Sequence, residues 1–168
     1  MLHYAADGVI ACDGTPTGFF TTTASYDKGY RLHIEWRWTQ PTGTPNGGVL
    51  VHISSGPKND TAWPFCIQMQ LKAGSVGDVL PMAGATCAEL PNPPGTTPTV
   101  ARQKPDSEKP SGEWNTYDIV CRGDTIEVTV NGVLQNTVTK CDPHTDKVGF
   151  QFEGFPFELR HFTLAPLE

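Results

Sequence analysis

Nine consecutive residues, Tyr30-Arg31-Leu32-His33-Ile34-Glu35-Trp36-Arg37-Trp38, alternate apolar and polar side chains without a break. Successive side chains of a strand point to opposite faces, so a period of two demands a β-strand with one face in a core and the other in water. The same alternation recurs at Val49, Val51 and Ile53; at Phe65, Ile67, Met69 and Leu71; at Ile126, Val128 and Val130; and at Val148, Phe150 and Phe152. No long stretch keeps three-and-four apolar spacing without a Gly or Pro inside it, so helices are expected to be short or absent.

Turn signals then order the strands. Asn131-Gly132 tolerates positive φ and predicts a two-residue hairpin between Thr125–Val130 and Val133–Val138, and Gly123-Asp124 turns the chain just before it. A meander of Trp114–Cys121, Thr125–Val130 and Val133–Val138 follows. In Phe157–Leu164 the apolar phase changes between Leu159 and Phe162, as a β-bulge requires. With 17 Gly and 15 Pro, the chain reads as all-β: short strands forming a two-sheet antiparallel sandwich or jelly roll. The 168 residues suit a single domain over 1–168. A long irregular stretch at 83–112 holds Pro91, Pro93, Pro94, Pro98, Pro105 and Pro110; such loops are functional or mobile.

The formal net charge of −6, with no stretch dominated by Lys and Arg, argues against nucleic acid or an anionic membrane as partner. No apolar run approaches the roughly 20 residues needed to span a bilayer. The start, Met1-Leu2-His3-Tyr4, lacks the zones of a signal peptide, which leaves a cytoplasmic protein or a chain beginning after a removed one. Oligomeric state stays open. The five cysteines are widely spaced with no C-x-x-C pair, so most are read as small buried apolar residues. Cys141-Asp142-Pro143-His144 holds three ligand types, but Pro143 reads more simply as a turn, and no metal site is assigned. Asn59-Asp60-Thr61 matches a glycosylation sequon and Arg122-Gly123-Asp124 an adhesion tripeptide; the second is also an ordinary turn between two strands.

Strand parity yields a candidate site. If Val49, Val51 and Ile53 face the core, His52 faces out; if Phe65, Ile67, Met69 and Leu71 face the core, Gln68, Gln70 and Lys72 face out. On Tyr30–Trp38 the outward set is Arg31, His33, Glu35 and Arg37. Such residues are ordinary on a wet sheet face. Together with Trp63 and the Gly77-Asp78 loop they also offer hydrogen-bonding forks and a flat apolar surface, which is how a sugar is held. Asp78 is a candidate hydroxyl ligand or proton acceptor, although Gly-Asp is also a common turn. Trp63 equally suits a cap on the core edge.

An ordered series resembles a known family: Asp7-Gly8-Val9-Ile10, Tyr30…Glu35-Trp36-Arg37, Cys66-Ile67-Gln68-Met69-Gln70-Leu71-Lys72, Gly112-Glu113-Trp114-Asn115…Asn131-Gly132 and Phe157-Glu158-Leu159-Arg160. Over nearly the whole chain it is similar to the 3-keto-disaccharide hydrolase domain family. The resemblance implies a concanavalin A-like jelly roll, usually secreted or periplasmic, acting on sugars oxidised at C3. Two departures stand out. Family members carry Glu-x-Gln where this chain has Gln68-Met69-Gln70, and Asn-Ser-Gly where it has Asn46-Gly47-Gly48. An amide orients a hydroxyl but is no general base.

Ordinary glycoside hydrolysis uses two carboxyls flanking the bond, and parity names no such pair. A 3-keto group relaxes that demand by acidifying the C2 proton, so one base starts elimination of the C1 substituent. His52 suits that role by its ordinary pKa, with Arg37, Lys72 or a divalent metal stabilising the enolate. Three expectations remain: an enzyme cleaving 3-keto-glycosides with His52 and Asp78 as catalytic candidates and Arg37, Trp63, Gln68, Gln70 and Lys72 as substrate ligands; a carbohydrate-binding module on the same fold; and a structural or adhesion domain.

Overall fold

A computed structural model describes residues 2–4, 6–57, 63–91 and 97–167. The sequon at Asn59 and the prolines at 93 and 94 lie outside the described residues. The strands are β1 (Leu2–Tyr4), β2 (Ile10–Cys12), β3 (Gly18–Thr21), β4 (Tyr30–Trp38), β5 (Gly47–Pro57), β6 (Pro64–Gln70), β7 (Val79–Met82), β8 (Asn115–Arg122), β9 (Thr125–Val130), β10 (Val133–Val138), β11 (Lys147–Phe152) and β12 (Phe157–Pro166). The one helical element among the described residues is a 3-10 turn at Ala6–Gly8. Among the described residues no helix is long and apolar enough to cross a membrane.

The chain is all-β, as its periodicity demands. Seven strands form one sheet in the order β1-β2-β12-β4-β8-β9-β10, and five form a second in the order β3-β11-β5-β6-β7. Every pairing is antiparallel. The inward residues of β4, Leu32, Ile34, Trp36 and Trp38, pack with Tyr117, Ile119, Ile126 and Val128 against Val49, Val51, Ile67, Met69, Val148 and Phe150 of the other sheet. Each such side chain contributes about 1.5–3 kcal/mol on burial. Phe150 stacks on Phe157 across the two sheets at 4.8 Å between ring centroids.

The turn chemistry follows the local sequence. Asn131 (φ 48°) and Gly132 (φ 80°) both occupy the left-handed region that a tight hairpin requires. The phase change in β12 is a bulge: register shifts between Arg160 and Thr163, and His161 sits at φ 49°. Arg122-Gly123-Asp124 is the β8–β9 turn, with Gly123 at φ 55°.

The Pro-rich stretch has a structural task. β7 ends the five-stranded sheet and β10 ends the seven-stranded one, so both present an open edge. Val100 pairs with Val79 in both directions, at 2.9 and 2.8 Å, and Gln103 N donates to Gln135 O at 2.7 Å. Buried Asn136 completes the seal, its Nδ2 lying 3.1 Å from Gly77 O, 3.2 Å from Val100 O and 3.2 Å from Ala101 O. A short strap around Val100–Gln103 thus closes the gap between the two sheet edges.

Asn136→Ala removes the donor shared by those carbonyls and should cost about 2–3 kcal/mol of unfolding free energy. Urea denaturation measures it; a loss below about 0.5 kcal/mol would show that the strap carries little of the edge closure.

Candidate functional site

The outer face of the five-stranded sheet bears a cleft of about 240 Å³, lined by Asn46, Trp63, Gln68, Gln70, Lys72, Leu80, Met82, Thr97, Gln151 and Glu153. Register explains its floor. Gly48 stands opposite Gln151 on one side and Gln70 on the other, while Gln68 stands between Leu50 and Leu80. A Cβ at position 48 would lie 2.6 Å from the Gln68 amide carbon, so glycine leaves the room in which that side chain lies across β5.

The backbone orients the amides. Gln70 Oε1 accepts hydrogen bonds from Leu71 N at 3.1 Å and Lys72 N at 3.2 Å, and only an oxygen can meet two N–H donors. That oxygen also accepts from Gln68 Nε2 at 3.1 Å, which leaves Gln68 Oε1 without a partner among the described residues. On the other side of the floor Gln151 Nε2 donates to Glu153 Oε1 at 2.7 Å, and Asn46 Nδ2 donates to Glu153 Oε2. Gln151 Oε1 and Asn46 Oδ1 are likewise unpartnered among the described residues. Three amide oxygens from residues lining one cleft are therefore buried acceptors with no donor. Leaving such a group unmet costs about 1–3 kcal/mol. The arrangement suits a ligand rich in hydroxyl donors. Gln70 Nε2 and Lys72 supply donors, and Leu80, Met82 and Trp63 supply apolar wall.

The other sheet holds this hairpin in place. The Tyr117 hydroxyl, fully buried, donates to Gln70 O at 2.6 Å and accepts from Gly77 N at 2.8 Å. Its ring stacks on Trp36 at 5.0 Å. The backbone bearing Gln70 is tied through the core to β8.

Gln68, Gln70, Lys72 and Trp63 thus share one cleft, and the remaining predicted residues lie elsewhere. Arg37 faces outward as parity requires, but on the seven-stranded sheet, across the core from the cleft. Its Nε donates to Glu158 Oε2 at 2.6 Å, and its guanidinium lies 4.6 Å from the Trp114 ring, which Arg160 also approaches at 4.0 Å. Alternation assigns a face but not a sheet. Asp78 ends the β6–β7 turn, where its Oδ1 accepts from Arg102 N at 2.8 Å and anchors the strap.

The expected outward orientation of His52 is corrected by a bulge. His52 has φ 56°, and the pairing of β5 slips between Leu50 and Ile53 against β11 and after Val51 against β6. Parity therefore inverts, and Ile53 joins Leu50 and Cys66 in a small separate cluster with Phe19 and Met82. His52 is only 1% exposed, its ring centroid 6.0 Å from that of Tyr30. Neither ring nitrogen has a partner among the described residues. Burial, and secondarily the charge of His144, pulls its pKa down to about 4. Sequence reasoning missed Glu153 and Gln151, although the inward parity of Val148, Phe150 and Phe152 already turns both outward. Among the described residues no three His, Cys, Asp or Glu side chains gather to hold a metal ion.

Tyr117→Phe should cost about 1–3 kcal/mol, because the Gly77 N–H and Gln70 C=O lose their shared partner, and should speed amide exchange in the β6–β7 turn; unchanged exchange would remove the tether from the account. The depressed His52 pKa means that the unfolded chain binds the proton more tightly than the folded one. Stability should fall as pH drops from about 6.5 toward 4, by up to about 3 kcal/mol at 1.36 kcal/mol per pKa unit. His52→Leu should flatten that part of the urea-midpoint profile, and an unaltered slope would refute the assignment.

Comparison with known proteins agrees with this architecture. A provisionally named glycosyl hydrolase from Parabacteroides distasonis superposes with a TM-score of 0.67 at 16% identity, covering 99% of this chain and 93% of that one. The carbohydrate-binding module CBM66 from Bacillus subtilis gives 0.64 at 11% identity, covering 96% and 84%. The PL7 alginate lyase AlyA1 from Zobellia galactanivorans gives 0.52 at 12% identity, covering 98% and 83%. At these identities the likeness is one of jelly-roll fold. No curated protein matches the chain in sequence. Residues 3–165 match the sequence profile of the 3-keto-alpha-glucoside-1,2-lyase-like domain, and the chain belongs to that family.

Proposed function

We propose that the protein binds a sugar ring in the glutamine cleft, as a carbohydrate-recognition domain. The observation that carries this reading is the set of buried, unpartnered amide oxygens at Gln68, Gln151 and Asn46. Sugar hydroxyls donate to those oxygens. Gln70 Nε2 and Lys72 donate to ring or carbonyl oxygens, and Trp63, Leu80 and Met82 cover the apolar face of the ring. The family's association with carbohydrates and the fold of CBM66 support the same reading. A net charge of −6 favours a neutral glycan over a polyanion. Free glycans are met chiefly outside the cytoplasm, which agrees with a secreted or periplasmic location.

One observation favours a second reading, cleavage of a 3-keto-glycoside. Glu153 is the only carboxylate among the described residues lining the cleft. Placed beside C2 of a 3-keto sugar, it takes the C2 proton, and the electron pair moves into an enolate whose C3 oxygen is stabilised by Lys72 or Gln70 Nε2. The enolate then expels the C1 substituent, forming a C1–C2 double bond, and the leaving oxygen takes up, through water, the proton that Glu153 gives back. His52, on the core side of the bulge, has no part in this step. Asp78 serves the strap in both readings.

Calorimetry against a glycan panel, with a 3-keto-disaccharide and an aryl 3-keto-glucoside included, separates the two. Recognition predicts saturable binding without aglycone release, weakened about tenfold or more by Gln68→Ala, equivalent to about 1.4 kcal/mol. Cleavage predicts aglycone release that Glu153→Gln abolishes while binding persists. Absence of any sugar binding would defeat both and leave the structural or adhesion reading.

A further inference from the structure

Thr86 and Asp142 exchange both backbone hydrogen bonds, Thr86 N to Asp142 O at 2.9 Å and Asp142 N to Thr86 O at 3.0 Å. This makes them a hydrogen-bonded antiparallel pair, isolated from the main sheets. The next residues along the two segments, Cys87 and Cys141, must then face each other as a non-hydrogen-bonded pair. Their own backbone groups confirm it by turning away: Cys141 N donates to Asp124 O at 2.9 Å, and Cys87 O accepts from Leu90 N at 3.4 Å. Residues so paired have α-carbons about 4.5 Å apart and side chains on one face, inside the roughly 4.4–6.8 Å that a disulfide spans.

We propose that Cys87 and Cys141 are a cross-strand dithiol that oxidises to a disulfide, clipping the 83–112 loop to the β10–β11 connection. Both residues belong to the main core, 8% and 2% exposed, and both are thiols in this structure. Burial pushes the Cys141 thiol up to about 12, and among its charged neighbours Cys87 comes first. The oxidant is a small disulfide such as oxidised glutathione. Each cysteine gives up its proton, the two sulfurs join, and two electrons reduce the oxidant's S–S bond to two thiols. Cys121 also lies near Cys141, but its thiol sits against the Tyr30 hydroxyl and it shares no strand pair with Cys141. Cys12 is engaged elsewhere, its Sγ accepting from Gly14 N at 3.3 Å, and Cys66 packs in the separate outer cluster. One pair and three single thiols account for the odd number.

The clip has a mechanical meaning. Cys87 follows β7, the last strand of one sheet, and Cys141 follows β10, the last strand of the other. A bond between them staples the two edges that the Val100–Gln103 strap closes by hydrogen bonds, and it anchors the loop that brings Thr97 to the cleft. The inference stands independently of any ligand.

The test equilibrates the purified protein with oxidised glutathione, blocks remaining thiols with N-ethylmaleimide during denaturation, and maps the proteolysed peptides by mass spectrometry. The expected result is one linked species joining the Cys87 and Cys141 peptides, with Cys12, Cys66 and Cys121 alkylated. Reduction should then lower the thermal midpoint by roughly 5–15 °C, a drop absent from Cys87→Ser and from Cys141→Ser. Alkylation of all five cysteines, or a link between Cys121 and Cys141, would overturn the proposal.

Discussion

One hydroxyl couples the two sheets at the point where the candidate site is built. Tyr117 Oη reaches from β8 through the core to Gln70 O and Gly77 N, which also pair with each other at 3.3 Å, so the hydroxyl completes a three-membered buried network. The β6–β7 hairpin is thereby held at a set depth against the seven-stranded sheet. From that fixed backbone the order passes outward: Leu71 N and Lys72 N orient the Gln70 amide, and Gln70 orients Gln68. The orientation of the cleft's amides is thus a property of the main chain as much as of the glutamines.

The two outer faces of the sandwich differ in a way that residue types alone do not reveal. On the seven-stranded sheet the charges satisfy one another: Arg37 with Glu158, Arg160 and His161 with Glu35, and His33 with Asp118 at 2.8 Å. Burial would raise the Glu35 carboxyl, but hydrogen bonds from His161 and Arg160 hold it below the usual range. That face is closed chemically, with Trp114 filling the space between two guanidiniums. On the five-stranded sheet amides replace charges and leave oxygens unmet. A face dense in Arg, His and Glu thus has less to offer a neutral ligand than one built from three glutamines and an asparagine.

The Pro-rich stretch shows how a small sandwich manages its ends. Strands β7 and β10 both finish sheets, and without cover each would expose unpaired backbone groups. Val100, Gln103 and the Asn136 amide satisfy those groups, while Asp78 and Arg102 lock the strap to the β6–β7 turn. Asp78, which reads as a catalytic candidate in sequence, sits outside the cleft lining and accepts from Arg102 N of the strap. The strap brings the same loop past the cleft rim, so edge protection and site construction use one segment.

Much was legible in the sequence because it depends on local geometry. The nine-residue alternation of β4, the Asn131-Gly132 hairpin, the bulge in β12 and the outward phase of Gln68, Gln70 and Lys72 all follow from a period of two and from which residues tolerate positive φ. What escaped depends on partners distant along the chain. Parity placed Arg37 on an outer face but could not choose between two sheets, since alternation is blind to strand order. It put His52 outside because the extra residue in β5 shows no apolar phase break: Ile53 is apolar on either face, so the bulge is silent. Glu153 was readable by parity, yet its partner Asn46 comes from the segment just before β5, 107 residues earlier in the chain, and only their meeting makes it part of a site. Sequence alone thus determined which residues form strands and which way most of them point. Tertiary structure decided which faces meet, because strand order and edge closure are set by contacts between residues far apart in the chain.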